Sequence, residues 1–161
     1  MTVTVSGPIA LVVHQVLGEG AAAHVRNQGY PLPAEQLTAV GHGNGFVAQT
    51  GGDEFLVADA GDWRSPGSPP PWSFRRCDHI VELMGADWAD VLADLCPHDL
   101  RGLAPGTWLL VTIAGVDSWL FGPSQSSGGV LLGCDPSYGH YLQTTLEQVA
   151  AETAALSSNS V

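Results

Sequence analysis

The chain has 161 residues, of which 45% are hydrophobic and only 13% are charged, so it has the length and apolar content of a folded domain and not of a disordered chain. Its 16 acidic residues outnumber its 5 basic ones, giving a formal net charge of -11, which argues against nucleic acid and anionic membranes as partners. Every basic residue is an arginine, and the lack of lysine excludes a Schiff-base mechanism carried by this chain.

The sequence shows no signal for export or for a membrane. Its N-terminal apolar stretch lacks a basic region and is interrupted by His14 and Gln15, and no apolar run approaches the ~18 residues of a spanning helix. Three cysteines are an odd number with no extracellular signal beside them, so we expect reduced thiols and a cytoplasmic protein. The low charged fraction indicates that another chain covers part of the apolar surface.

The first half of the chain predicts strands, one helix and a long loop. Residues 9–17 are typical of a strand, and residues 19–28 of a short helix that ends at Gly29. Residues 45–60 predict a β-hairpin, because apolar side chains alternate on both sides of the turn sequence GGDE. Prolines crowd residues 61–73, where neither a helix nor a sheet ladder can continue, so a long surface loop is expected there.

A strand and an amphipathic helix are predicted next. Residues 75–84 alternate as a strand that Gly85 ends. In the helix over residues 86–95 the apolar positions follow the i, i+3, i+4, i+7 pattern, and they are Trp88, Val91, Leu92 and Leu95. Pro97 forces the preceding residue out of helical geometry, so the helix ends at Cys96.

The C-terminal part predicts a second hairpin, a further strand and a long helix. The hairpin joins residues 107–114 to residues 118–121 through Gly115, and residues 130–133 form the further strand. The helix begins after Asp135, a good N-cap. Its predicted apolar stripe consists of Tyr138, Tyr141, Leu142, Leu146 and Val149.

Together these elements predict an α+β fold with a mainly antiparallel sheet and two or three packed helices, because hairpins alternate with helices in no regular βαβ order. We expect one domain over residues 1–161, with the proline-rich loop at residues 61–73 and a frayed tail at residues 156–161.

Two Cys-x-His pairs are the candidate metal ligands, Cys77 with His79 and Cys96 with His98. Cys77 and His79 would share one face of a strand, but the second pair would have to return across a helix. Structural zinc sites usually space their ligands by two or more residues, and small buried cysteines beside partly exposed histidines explain the same residues. No metal ligand is therefore assigned, and a small zinc protein built on the two pairs is an alternative function.

No pattern predicts catalysis or cofactor binding by this chain. Cys96 lies at a helix C-terminus, where the helix dipole disfavours a thiolate, and Cys134 has Asp135 beside it. The segment GHGNG, residues 41–45, lacks the preceding strand and following helix of a phosphate loop, and we interpret it as the lead-in to a hairpin.

Aromatic and basic residues flank the proline-rich loop. Trp63 precedes its prolines, Trp72 and Phe74 follow them, and Arg75 and Arg76 stand next in the chain. The loop is either a surface loop within the domain or an arm that lies on a partner. The arginine pair either binds the chain's own carboxylates or meets an acidic patch on a partner, and the sequence leaves both alternatives open.

The run VELMGADWADVLADLCPHDLRGLAPGTWLLVTIAGVDSWLF resembles the gamma subunit of heterotetrameric sarcosine oxidases. The family pattern is a strand, a glycine, a helix, a proline–glycine turn and further strands. The matching residues are Gly85, Val91, Leu92, Cys96, Pro97, Asp99, Leu100, Pro105 and Gly106. TGGDEFLV upstream is similar to the family's hairpin, and GGVLLGCDPSYGHYLQTTL downstream to its strand and last helix, so the resemblance spans about residues 46–149.

The resemblance implies an α+β fold like part of the aminomethyltransferase fold, because these gamma subunits are related to folate-binding domains such as the glycine cleavage T-protein. It also implies that this chain binds no cofactor, and that FAD, FMN, NAD and tetrahydrofolate lie on partner subunits. The implied partners are larger flavin-containing alpha- and beta-type subunits and a small zinc-containing delta-type subunit.

The function expected from this resemblance is a non-catalytic, gamma-type subunit of a flavoenzyme that oxidatively demethylates an amine such as sarcosine. Tryptophan and arginine are enriched among the residues that anchor interfaces. The expected partner surface therefore consists of Trp63, Trp72, Phe74, Arg75, Arg76 and Trp119. A free-standing folate-binding or one-carbon transfer protein is the alternative from another class.

Overall fold

The computed structural model describes residues 3–59, 61–122 and 128–158, with side chains to residue 156. Over these residues the fold is α+β with two antiparallel sheets, which confirms the predicted fold class. The strands are β1 (Thr4–Ser6), β2 (Val12–Leu17), β3 (Ala39–His42), β4 (Gly45–Gly51), β5 (Glu54–Asp59), β6 (Trp72–Arg76), β7 (His79–Met84), β8 (Thr107–Ile113), β9 (Val116–Gly122) and β10 (Val130–Cys134). The helices are α1 (Ala21–Asn27), α2 (Trp88–Ala93) and α3 (Pro136–Ser158).

The chain divides into two compact units. Unit 1 comprises Met1–Ile9 and Asp78–Val161, and unit 2 comprises Ala10–Cys77. The expectation of one domain over residues 1–161 stays a prediction, and each unit is described by itself.

Unit 1 is a five-stranded sheet, in the order β1-β7-β10-β9-β8, with α2 and α3 packed on it. Side chains from the sheet and both helices form its core, because the apolar positions predicted in α2 and α3 point to the same sheet face. Buried members include Val81, Leu83, Trp88, Val91, Leu92, Cys96, Leu120, Leu132, Leu142 and Leu146.

The predicted hairpin at Gly115 is confirmed as the β8–β9 pair. Ile113 pairs with Val116, so Ala114 and Gly115 form a two-residue loop. Both have positive φ, 51° and 81°, which is the geometry of a type I′ turn and suits the right-handed twist of the flanking strands.

Helix α3 begins as predicted, because the carboxylate of Asp135 accepts a hydrogen bond from the backbone N–H of Ser137 at 2.8 Å. The predicted apolar stripe is wrong at two positions, since Tyr138 is 56% exposed and Tyr141 is 53% exposed. Gly139 lies against the sheet instead, where an added Cβ would be 2.3 Å from Cγ of His79. The close approach of the helix backbone at Gly139 leaves Tyr138 on the outer side.

The tail prediction is wrong for its first residues. Helix α3 continues to Ser158, so residues 156–158 are helical. Residues 159–161 of the predicted tail lie outside the described residues.

Unit 2 is a five-stranded sheet in the order β3-β4-β5-β2-β6. The predicted hairpin over residues 45–60 is confirmed by the β4–β5 pair, with Ala60 outside the described residues. One sheet face carries a core with α1, which includes Val16, Val25, Val47, Phe55 and Val57.

The GHGNG segment is itself a hairpin turn and not a phosphate loop. His42 pairs with Gly45 at the end of the β3–β4 ladder, and Gly43 has a φ of 57°. A Cβ at Gly45 would lie 1.6 Å from the carbonyl oxygen of Ala58. The glycines thus serve a tight turn and a close contact between strands.

The predicted strand over residues 75–84 is wrong as one element. Its first part belongs to β6, where Arg76 pairs with Val13 in the sheet of unit 2. Its second part is β7, where His79 pairs with Cys134 in the sheet of unit 1. Pairing partners that are distant in sequence override the local alternation, so the chain leaves one sheet and enters the other between these strands. The loop predicted at residues 61–73 correspondingly ends at Trp72, where β6 begins.

Candidate interaction surface

An exposed aromatic pair lies on β6, at the edge of the sheet of unit 2. Trp72 and Phe74 are two residues apart on a strand and share a face. Their side chains are 49% and 51% exposed, and their rings stack with centroids 6.4 Å apart and planes 5° from parallel. Adjacent large apolar side chains that are exposed to water are typical of surfaces that bind another molecule, which makes this pair a candidate interaction surface.

Two arginines follow the aromatic pair on β6, Arg76 on the same face of the strand and Arg75 on the opposite face. In the ladder between β6 and β2, Arg75 is opposite His14 and Arg76 is opposite Val13. Arg75 is exposed and Arg76 is half-buried. They are adjacent cations in a chain with a net charge of -11, so β6 has a local charge opposite to that of the chain as a whole.

Trp63, predicted as a partner anchor, packs inside unit 2. Its indole N–H donates a hydrogen bond to Ser73 Oγ at 2.9 Å, and its ring stacks on His14 with centroids 4.9 Å apart. It packs against the core that contains Val16 and Val25. Trp63 therefore ties the start of the proline-rich loop to the strand at its end.

The loop is also held by α1. The backbone N–H of Arg64 donates to Gln28 Oε1 at 2.7 Å, and the Arg64 carbonyl oxygen is 3.0 Å from His24 Nε2. Gln28 Nε2 lies 2.9 Å from that same imidazole nitrogen. Both backbone polar groups of Arg64 are thus paired with helix side chains, which fixes the path of the loop.

The end of the loop lies beside the turn between β2 and α1. A Cβ at Gly18 would be 3.5 Å from Pro70 Cβ and 3.8 Å from Trp72 Cδ1. A Cβ at Gly20 would be 3.6 Å from Pro71 Cδ. These distances are ordinary van der Waals contacts, so the prolines that lead into the aromatic pair pack next to this turn.

Trp119, the other predicted anchor, is a buried residue of unit 1 and is 3% exposed. Its indole N–H donates to Asp78 Oδ2 at 2.8 Å. Its ring covers Gly133, where an added Cβ would be 2.1 Å from Trp119 Cε2. Among the six predicted interface residues, Trp72, Phe74, Arg75 and Arg76 lie together on β6. Trp63 packs behind this strand in unit 2, and Trp119 is buried within unit 1.

A group of aromatic and imidazole side chains in unit 2 was not predicted from the sequence. Tyr30 packs at 5.7 Å from Trp63 and at 4.9 Å from His42, and His42 Nε2 is 3.4 Å from Asp59 Oδ2. Burial, followed by the charges of Asp59 and Asp62, raises the pKa of Tyr30. These residues come from distant parts of the chain, so no local spacing signals the group.

Burial lowers the pKa of His14, and the positive charge of Arg75 lowers it further. The neutral imidazole is thus favoured under Trp63, where it stacks with its plane 19° from the indole plane.

The two Cys-x-His pairs do not meet as a ligand set. Within the described ranges, no three His, Cys, Asp or Glu side chains are grouped so that they could hold a metal ion. Cys77 is exposed at the end of β6, Cys96 is buried, and His79 is 2.9 Å from Gln143 Oε1. Cys96 contributes to the core of unit 1, which agrees with its interpretation as a small buried residue.

Cys134 is not arranged as a nucleophile. Burial, together with the charges of Asp78 and Asp135, raises its pKa to about 11. A thiol with so high a pKa is almost entirely protonated near neutral pH, and the thiolate is the reactive form.

Unit 1 also carries a surface depression of about 310 Å³ between β8, β9 and the segment after α2. Its lining residues are His98, Leu110, Val111, Thr112, Asp117 and Ser118. Three of its polar side chains already have partners. Thr112 donates to Asp117 at 3.1 Å, and Ser118 donates to the Val116 carbonyl at 3.1 Å. Neither hydroxyl thus donates its hydrogen to His98, the histidine that lines the depression.

Among the described residues, no helix is long and apolar enough to cross a membrane. No family model matches the chain, and no curated protein matches it significantly.

Among solved structures, the chain is similar to a chain of the heterotetrameric sarcosine oxidase from Corynebacterium sp. U-96 in complex with pyrrole 2-carboxylate. The TM-score is 0.74 with 23% sequence identity, and the match covers 93% of this chain and 84% of that chain. The similarity therefore extends over nearly all of both chains. This chain has the fold of a chain of a heterotetrameric sarcosine oxidase, in agreement with the resemblance found in its sequence.

Proposed function

We propose that the chain is a non-catalytic, gamma-type subunit of a heteromeric flavin-dependent enzyme that oxidatively demethylates a secondary or tertiary amine such as sarcosine. The observation that carries this proposal is the fold match, which covers 93% of this chain and 84% of a chain from a heterotetrameric sarcosine oxidase. A chain that matches one subunit over nearly its whole length is a candidate for the same place in an assembly.

The surface of β6 supports a role in assembly. Trp72 and Phe74 are half exposed and stack on each other, and Arg75 extends the same strand. Aromatic side chains and arginine are the residues that most often carry the binding energy of a protein interface. Their neighbours Trp63 and Ser73 hold the strand and its loop in place, so the surface is formed before a partner arrives.

In the proposed enzyme, the reaction takes place on the other subunits. FAD, FMN, NAD and tetrahydrofolate belong to the larger alpha- and beta-type subunits, where the amine loses two electrons to flavin and its methyl carbon goes to tetrahydrofolate or leaves as formaldehyde. A small zinc-containing delta-type subunit completes the assembly. The part of this chain is to bind its neighbours, in the cytoplasm.

The experiment that tests the proposal is co-expression of the tagged chain with the proteins encoded beside its gene. We expect the tag to recover a stoichiometric assembly with the visible absorption of flavin and with sarcosine-dependent reduction of that flavin. Recovery of the chain without any flavin-containing protein would contradict the proposal, and titration with tetrahydrofolate would then test the folate-binding alternative.

Two paired variants locate the surface. Trp72→Ala with Phe74→Ala removes the exposed pair on β6, and Tyr138→Ala with Tyr141→Ala removes an equally exposed pair on α3. Truncation of an aromatic side chain at an interface hot spot weakens the binding free energy by more than about 2 kcal/mol. The β6 variant should therefore lose its partners while it keeps its melting temperature. The α3 variant should still co-purify, and the reverse pattern would place the interface on α3.

A further inference from the structure

We propose that the open edge of β6 binds an extended acidic segment of a partner subunit as an additional strand of the sheet. The inference rests on the proposed function, because it specifies how the subunit would be held in the assembly. It is carried by the position of β6, the side chains on it and the charge of the chain.

Among the described residues, β6 has a neighbouring strand on one side only, because it is the last strand of its sheet. It forms a continuous antiparallel ladder with β2 from Trp72, opposite Leu17, to Arg76, opposite Val13. In the described part of the chain no strand lies on its other side. Every second residue of such an edge strand directs its N–H and C=O outward, and these groups can accept a further strand.

β6 lacks the features that usually protect an edge. Its sequence WSFRR contains no proline or lysine, and its five residues pair with β2 without a register shift. The prolines stop at Pro71, immediately before the strand. Edges that must stay unpaired are normally shortened, bulged or interrupted by proline, so the regular edge of β6 suits strand addition.

The other edge strands fit this role less well. β1 has three residues and β3 has four. β8 has seven residues, and none of them is charged. Leu110 is the one large apolar side chain that β8 exposes. The N–H of Ala114, just after β8, donates to the carbonyl of Leu95 at 2.8 Å, so that end is already covered by the segment after α2. β6 alone among these edges combines exposed aromatics with cations.

The side chains of β6 define the chemistry of the incoming segment. Trp72, Phe74 and Arg76 lie on one face of the strand, and Ser73 and Arg75 lie on the other. Apolar or β-branched residues placed opposite Trp72 and Phe74 would cover their rings, as cross-strand pairs do. Carboxylates of the segment would be attracted to Arg75. The rest of the chain, with a net charge of -11, would repel them, so an acidic segment would favour this strand.

The partner is therefore expected to contribute an extended segment in which apolar residues alternate with Asp or Glu. A second copy of this chain fits less well, because pairing two β6 edges would bring the arginine pairs of both copies into the same small region. Main-chain hydrogen bonds would supply affinity in this mode, and the alternate side chains would supply specificity.

Hydrogen–deuterium exchange tests the inference on the chain alone and in the purified flavin-containing assembly. We expect those amides of Trp72–Arg76 that point away from β2 to exchange about tenfold or more slowly in the assembly, because strand addition would give them hydrogen-bond acceptors. The amides of β8 serve as the control within the same sample and should change little. The segment of the partner that gains protection should carry more Asp and Glu than Arg and Lys.

A charge reversal gives an independent readout. Arg75→Glu should weaken assembly about tenfold at low salt, whereas Arg101→Glu makes the same change of charge at an exposed residue of unit 1 and should leave assembly unaltered. Circular dichroism and melting temperature confirm that both variants fold.

The outcomes separate the inference from the proposed function. An assembly that forms while β6 exchange stays unchanged, or that protects β8 instead, overturns the strand addition and leaves the proposed subunit role standing. Failure to form any flavin-containing assembly overturns both. Protection of β6 that rises with the concentration of the isolated chain identifies a second copy as the occupant and overturns the acidic partner.

Discussion

The indole N–H of Trp63 donates a hydrogen bond to Ser73 Oγ at 2.9 Å, and this contact closes the proline-rich loop onto β6. Ser73 lies between Trp72 and Phe74, whose side chains point to the opposite face of the strand. One side of β6 is thus used to fix the loop, and the other side presents the exposed aromatic pair. This arrangement lowers the entropy that ordering the surface would otherwise cost on binding.

Gln28 and His24 hold the loop through the backbone of Arg64, and we call these contacts the clamp. Trypsin tests it, because trypsin cleaves after basic residues and the chain has only five, all arginine. Gln28→Ala removes the acceptor for the Arg64 N–H. Loss of one hydrogen bond is worth ~1 kcal/mol, so local opening and cleavage after Arg64 should become about fivefold faster.

The control for this cleavage is Gln148→Ala. Gln148 Nε2 bonds to Glu152 on the surface of α3 at 2.9 Å, so its removal should leave cleavage after Arg64 at the wild-type rate. If Gln28→Ala also left that rate unchanged, the loop would not depend on the clamp. Faster cleavage after Arg26, within α1, would instead report loss of the helix.

A pair of tryptophans tests the value of a buried indole hydrogen bond. Trp119 donates to Asp78, whereas the Nε1 atom of Trp108 is buried and has no hydrogen-bond partner among the residues that the structure describes. Trp119→Phe removes one donor to the half-buried carboxylate of Asp78, whereas Trp108→Phe removes a polar group that makes no such bond. Trp119→Phe should therefore lower the free energy of unfolding by about 1–3 kcal/mol more than Trp108→Phe does.

Urea denaturation of the two variants measures this difference directly. Both substitutions remove the same atoms, so the difference between them largely cancels the loss of buried apolar area. Equal destabilisation would mean that the Trp119–Asp78 hydrogen bond contributes nothing net to stability.

Two strand glycines differ in the space around them. A Cβ at Gly133 would lie 2.1 Å from the Trp119 ring, while at Gly41 it would meet no atom within 4 Å. Gly133→Ala should therefore destabilise the chain by about 1–3 kcal/mol or more through overpacking. Gly41→Ala should leave the melting temperature unchanged or raise it slightly, and thermal unfolding that ranked the two variants in the opposite order would contradict the packing of Trp119 on Gly133.

The pH dependence of stability should contain a contribution from His14. Burial and the charge of Arg75 lower its pKa in the folded chain, so the unfolded chain binds this proton more readily. The contribution of neutral His14 to the free energy of unfolding is fully present above pH ~6.5, the ordinary pKa of histidine in an unfolded chain. It is lost as the pH falls through the lowered pKa of His14 in the folded chain.

His14→Gln should therefore flatten the dependence of the unfolding midpoint on pH below ~6.5. Urea denaturation at several pH values from neutral to mildly acidic measures the slope for the variant and for the wild-type chain. A variant with the wild-type slope would show that His14 does not contribute to it.

Elements whose signal is local were predicted correctly from the sequence. The hairpin at Gly115 and the start of α3 at Asp135 depend on turn and cap chemistry within a few residues. The division of residues 75–84 between two sheets could not be predicted, because the alternation of side chains is the same on both sides of Cys77 and only the distant partners Val13 and Cys134 differ.

The six residues of the expected partner surface stay a prediction, but the structure shows which of them are exposed, and the sequence could not. Trp72 and Phe74 are exposed, whereas Trp63 packs against His14 from another strand. Trp119 is buried because Gly133 leaves space for its ring on the neighbouring strand. Such pairings arise only when the sheet forms, so composition and spacing carry no sign of them.

The measurement that tests the central claim most directly is size-exclusion chromatography with light scattering on the chain produced alone and together with the proteins encoded beside its gene. The account predicts that the co-produced chain elutes in an assembly of defined stoichiometry, with a mass well above that of the single chain and with the absorption of flavin. A colourless monomer that elutes apart from those proteins, in a fully folded state, would contradict the proposed role as a subunit.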